Sequence, residues 1–292
     1  MYFSKNLRIA IWAVAAVVGV LVMLSPLLCG LYLPKQPYFV PLEQKVNNIV
    51  ALGFMVVIVF PAFVEYSNYR WIRQIEHSIP RILRDIAESV RSGVTLPKAV
   101  EQAATKKGYG PLSKELERVM ALFLLGDSWE TAVMSLTKRV KSPAVARLAT
   151  ILVEASQAGG KISEVLDMSV DLFTSLDEYK EELINNMKPY LYTIYASIAI
   201  FLIISFVVLS QFLVPLASSA NGSLSPKPNT ITNILDINYY ASILFWASVI
   251  ESLFGGIIAG KIGERSYSAG LRHSVFLSVI SLIFFNLMAG LW

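Results

Sequence analysis

Five stretches of this chain are apolar over about the 20 residues that a helix needs to cross a hydrocarbon core of roughly 30 Å. They cover residues 9–31, 49–65, 190–216, 239–260 and 273–292. The second is the shortest, and its Pro61 stands near one end, where a break in the backbone ladder is tolerable. Between the second and third stretches the pattern changes. From about residue 66 to residue 188, apolar residues recur at helical spacing among charged ones. The predicted class is therefore all-α, a polytopic helical membrane protein of about five spans. Residues 1–65 hold two spans and a short loop, 66–188 a helical bundle in water, and 189–292 three further spans.

The polar segment carries its own punctuation. Gly93, Gly126 and Gly159 are 33 residues apart and open the texts "GVTLPKAV", "GDSWETAV" and "GGKISEVL". An apolar residue follows each at the third position: Leu96, Trp129 and Ile162. Each glycine is expected to close a helix in the left-handed conformation, at Gly159 or its neighbour Gly160 in the third case. Thr95 before Leu96-Pro97 reads as an N-cap with an early proline. Asp127-Ser128-Trp129-Glu130 reads as a capping box of the Asp type. Ser78 is expected to cap a helix over 80–92. A second helix over 111–125 presents Leu112, Leu116, Val119, Met120 and Phe123, and Ser142-Pro143 opens another through Val145, Leu148, Leu152 and Ala155. The result is three helix–Gly–helix hairpins, about six helices. A 33-residue period also suits a solenoid. However, the connections "TKKGYGP" and "KRVKSP" differ and no polar end caps are present, so a compact bundle is the better reading.

Composition supports the two solvents, with 55% apolar and 16% charged residues and a mean hydropathy of +0.56. Of 25 Lys+Arg, 17 fall between residues 66 and 188, against 16 acidic residues there. That near balance argues against nucleic acid as a partner. Lys5 and Arg8 precede the first span, and Lys261, Arg265 and Arg272 fill the 261–272 loop. The loops at 32–48 and 217–238 hold only Lys35 and Lys45, and Lys227. Basic flanks stay in the cytosol. The expected topology places the N-terminus and the bundle in the cytosol and the C-terminus outside, in the cell (plasma or inner) membrane. The first apolar stretch exceeds the about 7–15 residues of a cleavable signal, so it is expected to remain as a span. Cys29 is the single cysteine and reads as filler within that span. Asn221-Gly222-Ser223 forms a glycosylation sequon in the longest outside loop.

No enzyme signature emerges. A Gly-rich loop ending in Gly-Lys-Ser/Thr is absent, so nucleotide hydrolysis is not expected. His77 and His273 are distant in sequence, and without a cysteine cluster they read as boundary residues; neither a metal nor a cofactor is expected. Glu251 is the one carboxylate near the middle of a span. Burying it as a charge would cost on the order of 3 kcal/mol, so it is expected to be protonated and bonded to a neighbouring helix, or to face a partner. Gly256 and Gly260 form a GxxxG pair for close helix packing, within or between chains. In the bundle, Arg81–Asp85 and Arg84–Glu88 are spaced as i,i+4 ion pairs. Arg91, Lys138, Arg139 and Lys141 lack local partners and are candidates for docking an acidic cytosolic protein. Pro189, after the acidic run 177–182, is expected to kink the entry to the third span without breaking it.

The texts "IAESVRSGVTLPKAVEQAA", "LGDSWETAV" and "LVEASQAGGKISEVLDMSVDLF" resemble the F domain of type II secretion and type IV pilus platform proteins. The tail "GGIIAGKIGERSYSAGLRHS" is similar to the end of archaeal pilus and archaellum platform proteins. The resemblance covers about residues 78–275. It implies a six-helix cytosolic bundle followed by membrane helices, and a non-catalytic platform that couples a hexameric secretion ATPase to the assembly of pilin-like subunits. It also implies contact with membrane lipid. Many members carry two F domains and this chain carries one, which implies pairing with itself or with a paralogous platform chain as a dimer. No Gly-x-Gly-Asp text is present, which sets the chain apart from the prepilin peptidases of such systems. The contrasting reading is a secondary transporter coupled through Glu251. It lacks the repeated halves and paired broken helices that such transporters show.

Overall fold

The computed structural model describes residues 5–32, 40–106, 108–216 and 236–290. Every regular element among them is helical. In chain order they are α1 (Lys5–Leu28), α2 (Gln44–Arg91), α3 (Leu96–Thr105), α4 (Pro111–Leu124), α5 (Trp129–Arg139), α6 (Pro143–Gln157), α7 (Ile162–Val207), α8 (Ile237–Gly263) and α9 (Tyr267–Met288). A 3-10 turn, Gly159–Lys161, precedes α7, and a wider π turn, Val208–Leu213, follows it. Five helical stretches, containing α1, α2, α7, α8 and α9, are long and apolar enough to cross a membrane. The sequon residue Asn221 lies outside the described residues.

The chain forms two compact units. One contains Ser67–Asn185, the other Lys5–Tyr66 and Asn186–Trp292. In the first, α2 contributes Ile75, Ile79, Ile82, Leu83 and Ile86, all fully buried. Leu112 and Leu116 of α4, Leu136 of α5, Leu148 and Leu152 of α6 and Leu166 of α7 complete the same core. The helix predicted to begin at a Ser78 cap does not begin there. α2 runs straight through, and the Ser78 hydroxyl donates to the Gln74 carbonyl one turn back (2.8 Å). Pro80 deprives one carbonyl of its partner. Yet the stripe Ile75–Ile86 meets the core on one face only if the helical phase continues through it, and burying each such side chain stabilises by roughly 1.5–3 kcal/mol.

The three turn glycines have φ of +93° (Gly93), +106° (Gly126) and +56° (Gly159). A Cβ at any of them would meet nothing within 4 Å, so backbone conformation alone requires glycine there. After α2, Gly93 N–H bonds to the Val90 carbonyl and Val94 N–H to that of Ser89. After α4, Gly126 and Asp127 repeat the pattern with Phe123 and Leu122. That second bond keeps Asp127 inside the preceding turn, which corrects the expected Asp-type capping box. The N-cap of α5 is Ser128, whose Oγ accepts from Thr131 N–H (3.2 Å). Thr95 caps α3 with early proline but without a side-chain bond, and Ser142 caps α6 by accepting from Ala144 N–H.

In the second unit, α8 and α9 form a hairpin packed around small residues. A Cβ on Gly256 would overlap the backbone of Ser274, and one on Gly260 the backbone of Gly270, both well under 3.0 Å. The GxxxG pair is thus used within the chain. Ser252 and Ser281 Oγ lie 2.9 Å apart between these helices, and Phe245 meets Phe285 edge-to-face at 5.6 Å. A second close approach, of α1 and α2, has no local sequence signature. A Cβ on Gly19 would stand 2.7 Å from the Gly53 carbonyl oxygen. Arg8 and Glu65 join the same two helices through Nη2–Oε2 at 2.5 Å and Nε–Oε1 at 2.9 Å. Cys29, read from sequence as filler in a span, lies just past the end of α1 and is exposed. α7 continues through Pro189 without a break.

Candidate functional site

Three groups of side chains carry the candidate chemistry, and tertiary contacts decide what each can do. The first is the basic set of the Ser67–Asn185 unit. Arg91, at the last turn of α2, is not free, because its Nη2 lies 2.5 Å from Asp167 Oδ2 on α7. Arg139, at the end of α5, reaches Glu115 of α4 with Nε–Oε2 at 2.8 Å, and Arg118 holds the other oxygen at 2.6 Å. Glu115 is only 5% exposed, so two arginines neutralise a carboxylate that would be costly to bury alone. Arg91 and Arg139 read as partnerless in sequence because their acids lie 76 and 24 residues away. Lys138 and Lys141 stay exposed, and neither makes an ion pair with a described residue. They are the remaining docking candidates of the four.

The i,i+4 pairs expected on α2 are not formed either. Asp85 turns away from Arg81 toward the α3–α4 loop, where Lys106 Nζ lies 2.6 Å from its Oδ2 and the Tyr109 hydroxyl donates to the same oxygen. Burial pushes the Asp85 carboxyl up, but the bonds from Lys106 and Tyr109 and the charges of Lys106 and Arg81 outweigh it, leaving the carboxyl below its usual range. Burial, together with the bond to Asp85 and its charge, raises the Tyr109 hydroxyl well above its usual range. Asp85 thereby ties the loop to α2.

The second group lies at the α8–α9 turn. Lys261 Nζ sits 4.3 Å above the Tyr267 ring. Arg265 adopts φ +55°, at a helix C-terminus where glycine is usual, and its side chain is exposed. Arg272 is consumed internally. Its Nη2 lies 2.5 Å from Glu264 Oε1, its Nη1 donates to the Tyr66 hydroxyl (2.7 Å), and it stacks over the Tyr66 ring. His273 joins the same cluster, 2.6 Å from the Tyr195 hydroxyl and 3.8 Å from Glu264. In sequence His273 reads as a boundary residue, and Glu264, nine positions earlier across the α8–α9 turn, is the one signal of this cluster.

The third is Glu251 of α8. The Ser197 hydroxyl on α7 donates to its Oε1 (3.0 Å), which gives the carboxyl a neighbouring-helix partner. Among the described residues, no group of three or more His, Cys, Asp or Glu side chains comes together in a way that could hold a metal ion.

Comparison with known proteins points one way. Residues 82–210 match the family described as type II secretion system (T2SS), protein F. An uncharacterized protein of Methanocaldococcus jannaschii is 26% identical over 248 residues, covering 84% of this chain. The chain spans about 40% of that relative's length. No solved structure matches. Proteins of this family are non-catalytic platform proteins of secretion and pilus-type machines that work with ATPases, and the five apolar helices suit a multi-pass membrane protein. Residues 82–210 are thus similar to the type II secretion system protein F family, in a chain whose five apolar helices are long enough to cross a membrane.

Proposed function

We propose that this chain is the membrane platform of a type IV pilus-like or type II secretion machine, coupling a cytosolic hexameric secretion ATPase to the assembly of pilin-like subunits into a filament. The observation that carries the reading is the F-family match over residues 82–210, running from the polar helical unit into the third apolar stretch. On this reading the Ser67–Asn185 unit is the cytosolic six-helix F domain, the N-terminus is cytosolic, the C-terminus lies outside, and the spans guide subunits out of the bilayer. The chain works with a second F domain, from another copy or a paralogous platform chain. Lys138 and Lys141 present positive charge to the ATPase, with Lys261 and Arg265 as a second basic contact at the cytosolic loop.

The test is capture of the purified secretion ATPase by the full chain across a salt series. Exposed charges are screened beyond about 8–10 Å at physiological ionic strength. Reversing Lys138 and Lys141 to glutamate is expected to weaken capture and flatten its salt dependence. Unchanged affinity across the series would remove these lysines from the interface, and no binding by the wild-type chain would remove the ATPase from the proposal.

A further inference from the structure

Within the Ser67–Asn185 unit, α2 and α7 run antiparallel. Arg91 meets Asp167, His77 Nδ1 lies 3.0 Å from Asp177 Oδ2, and Glu76 Oε2 lies 3.9 Å from Lys180 Nζ. Between these contacts the surface opens into a cleft of about 340 Å³. His77, Arg81 and Arg84 stand along its α2 wall, and Asp177, Glu178 and Glu181 along its α7 wall. The spacings 77/81/84 and 177/178/181 place each set on one helical face. Arg81, Arg84, Glu178 and Glu181 are all exposed, and none of the four makes an ion pair with a described residue.

The cleft therefore offers both signs of charge, positive on one wall and negative on the other. A purely acidic partner would meet the wall of Asp177, Glu178 and Glu181, and a purely basic one would meet Arg81 and Arg84. A second copy rotated about a two-fold axis that runs along the cleft, parallel to its two walls, meets neither penalty. Its arginines face the first copy's glutamates and its glutamates face the first copy's arginines, because a two-fold interface makes every contact twice. We infer that this cleft is where two copies of the chain meet, through reciprocal pairing of Arg81 and Arg84 with Glu178 and Glu181. Arginine suits the role, since its planar fork can bind a carboxylate through two parallel bonds. The inference names the surface for the second F domain and in that respect rests on the platform reading.

The test uses the full-length protein in detergent micelles, with mass followed by light scattering over a dilution series at low and high salt. The wild type is expected to be a dimer that dissociates as salt rises. One variant carries Arg81→Glu with Arg84→Glu, so that both walls are acidic; the other carries Glu178→Arg with Glu181→Arg, so that the acid wall turns basic. Each alone is expected to dimerise at least about tenfold more weakly, because like charges then face one another. An equal mixture of the two is expected to pair to within about threefold of the wild type, since opposite charges again face one another across the interface. Recovery in the mixture also shows that both variants are folded. A monomeric wild type, variants that dimerise normally, or a mixture that fails to pair would each overturn the inference. Secretion-ATPase capture, measured on the same samples, separates the two readings. Capture by a chain that fails the pairing test leaves the platform reading standing without this cleft, and pairing without capture does the reverse.

Discussion

Gly159 and Gly160 are adjacent, yet they should answer differently to the same substitution. Gly159 has φ +56° and open space around it, whereas Gly160 has the same open space without a left-handed backbone. An L-residue in left-handed geometry costs roughly 1–2 kcal/mol. No neighbour lies within 4 Å of the added Cβ, so Gly159→Ala should cost little beyond that conformational penalty. Gly160→Ala should stay within about 0.5 kcal/mol of the wild type, as surface substitutions usually do. Gly159→Asn should recover part of the loss, since asparagine tolerates this region. The assay is amide hydrogen exchange of the full chain in micelles, read on peptides from α6 and the start of α7. A loss of 1 kcal/mol there appears as roughly fivefold faster exchange where opening limits it. Gly260→Ala provides the contrast. Its Cβ would overlap the Gly270 backbone, so α8 and α9 must part, at about 1–3 kcal/mol. That effect should appear in α8–α9 peptides and not in α6. If Gly160→Ala exchanged as fast as Gly159→Ala, or Gly159→Ala matched the wild type, the turn would not depend on the backbone conformation of Gly159.

Three further outcomes are expected. Glu115→Ala removes the shared partner of Arg118 and Arg139; because both guanidinium groups are about half exposed and can return to water, the loss should be about 1–2 kcal/mol, below the usual cost of breaking a buried pair, measured as a lower melting temperature. The Asp85–Tyr109 contact should bend stability at both ends of the pH scale. The lowered Asp85 pKa stabilises above the ordinary 3.8 and loses that contribution as pH falls below it. The raised Tyr109 pKa keeps its proton in the folded state, so stability falls as pH rises above 10.0; Tyr109→Phe should flatten the alkaline arm in a pH series of melts. For topology, a reporter fused at Asn221 should read outside and one at Ser268 inside, and opposite signs would reverse the orientation drawn from the basic flanks.

Two features of this protein follow from short-range chemistry and were legible in one dimension. Apolar runs of spanning length must become helices in lipid, since every backbone group needs an internal partner there, and α1, α2, α7, α8 and α9 are those runs. The left-handed positions at Gly93, Gly126 and Gly159 are also local, because the steric cost of Cβ in that conformation concerns one residue. Partner choice is not local. Asp85 lies one turn from Arg81 but bonds to Lys106 and Tyr109, because folding the α3–α4 loop onto α2 brings them closer. Arg91 and Arg139 seemed free only while Asp167 and Glu115 were distant letters. Ser78 and Pro80 carried a helix-start signal that the buried stripe from Ile75 to Ile86 overrode. Gly19 and Gly53 touch across 34 positions with no motif between them, since a close approach of two backbones becomes visible only once the helices are packed. Sequence determined which stretches are long and apolar enough to cross a membrane and where the glycine turns fall, because those choices depend on a residue and its near neighbours. Only the tertiary structure decided which charges were spent on holding the fold and which were left exposed at its surface, because that depends on distances between residues far apart in the chain.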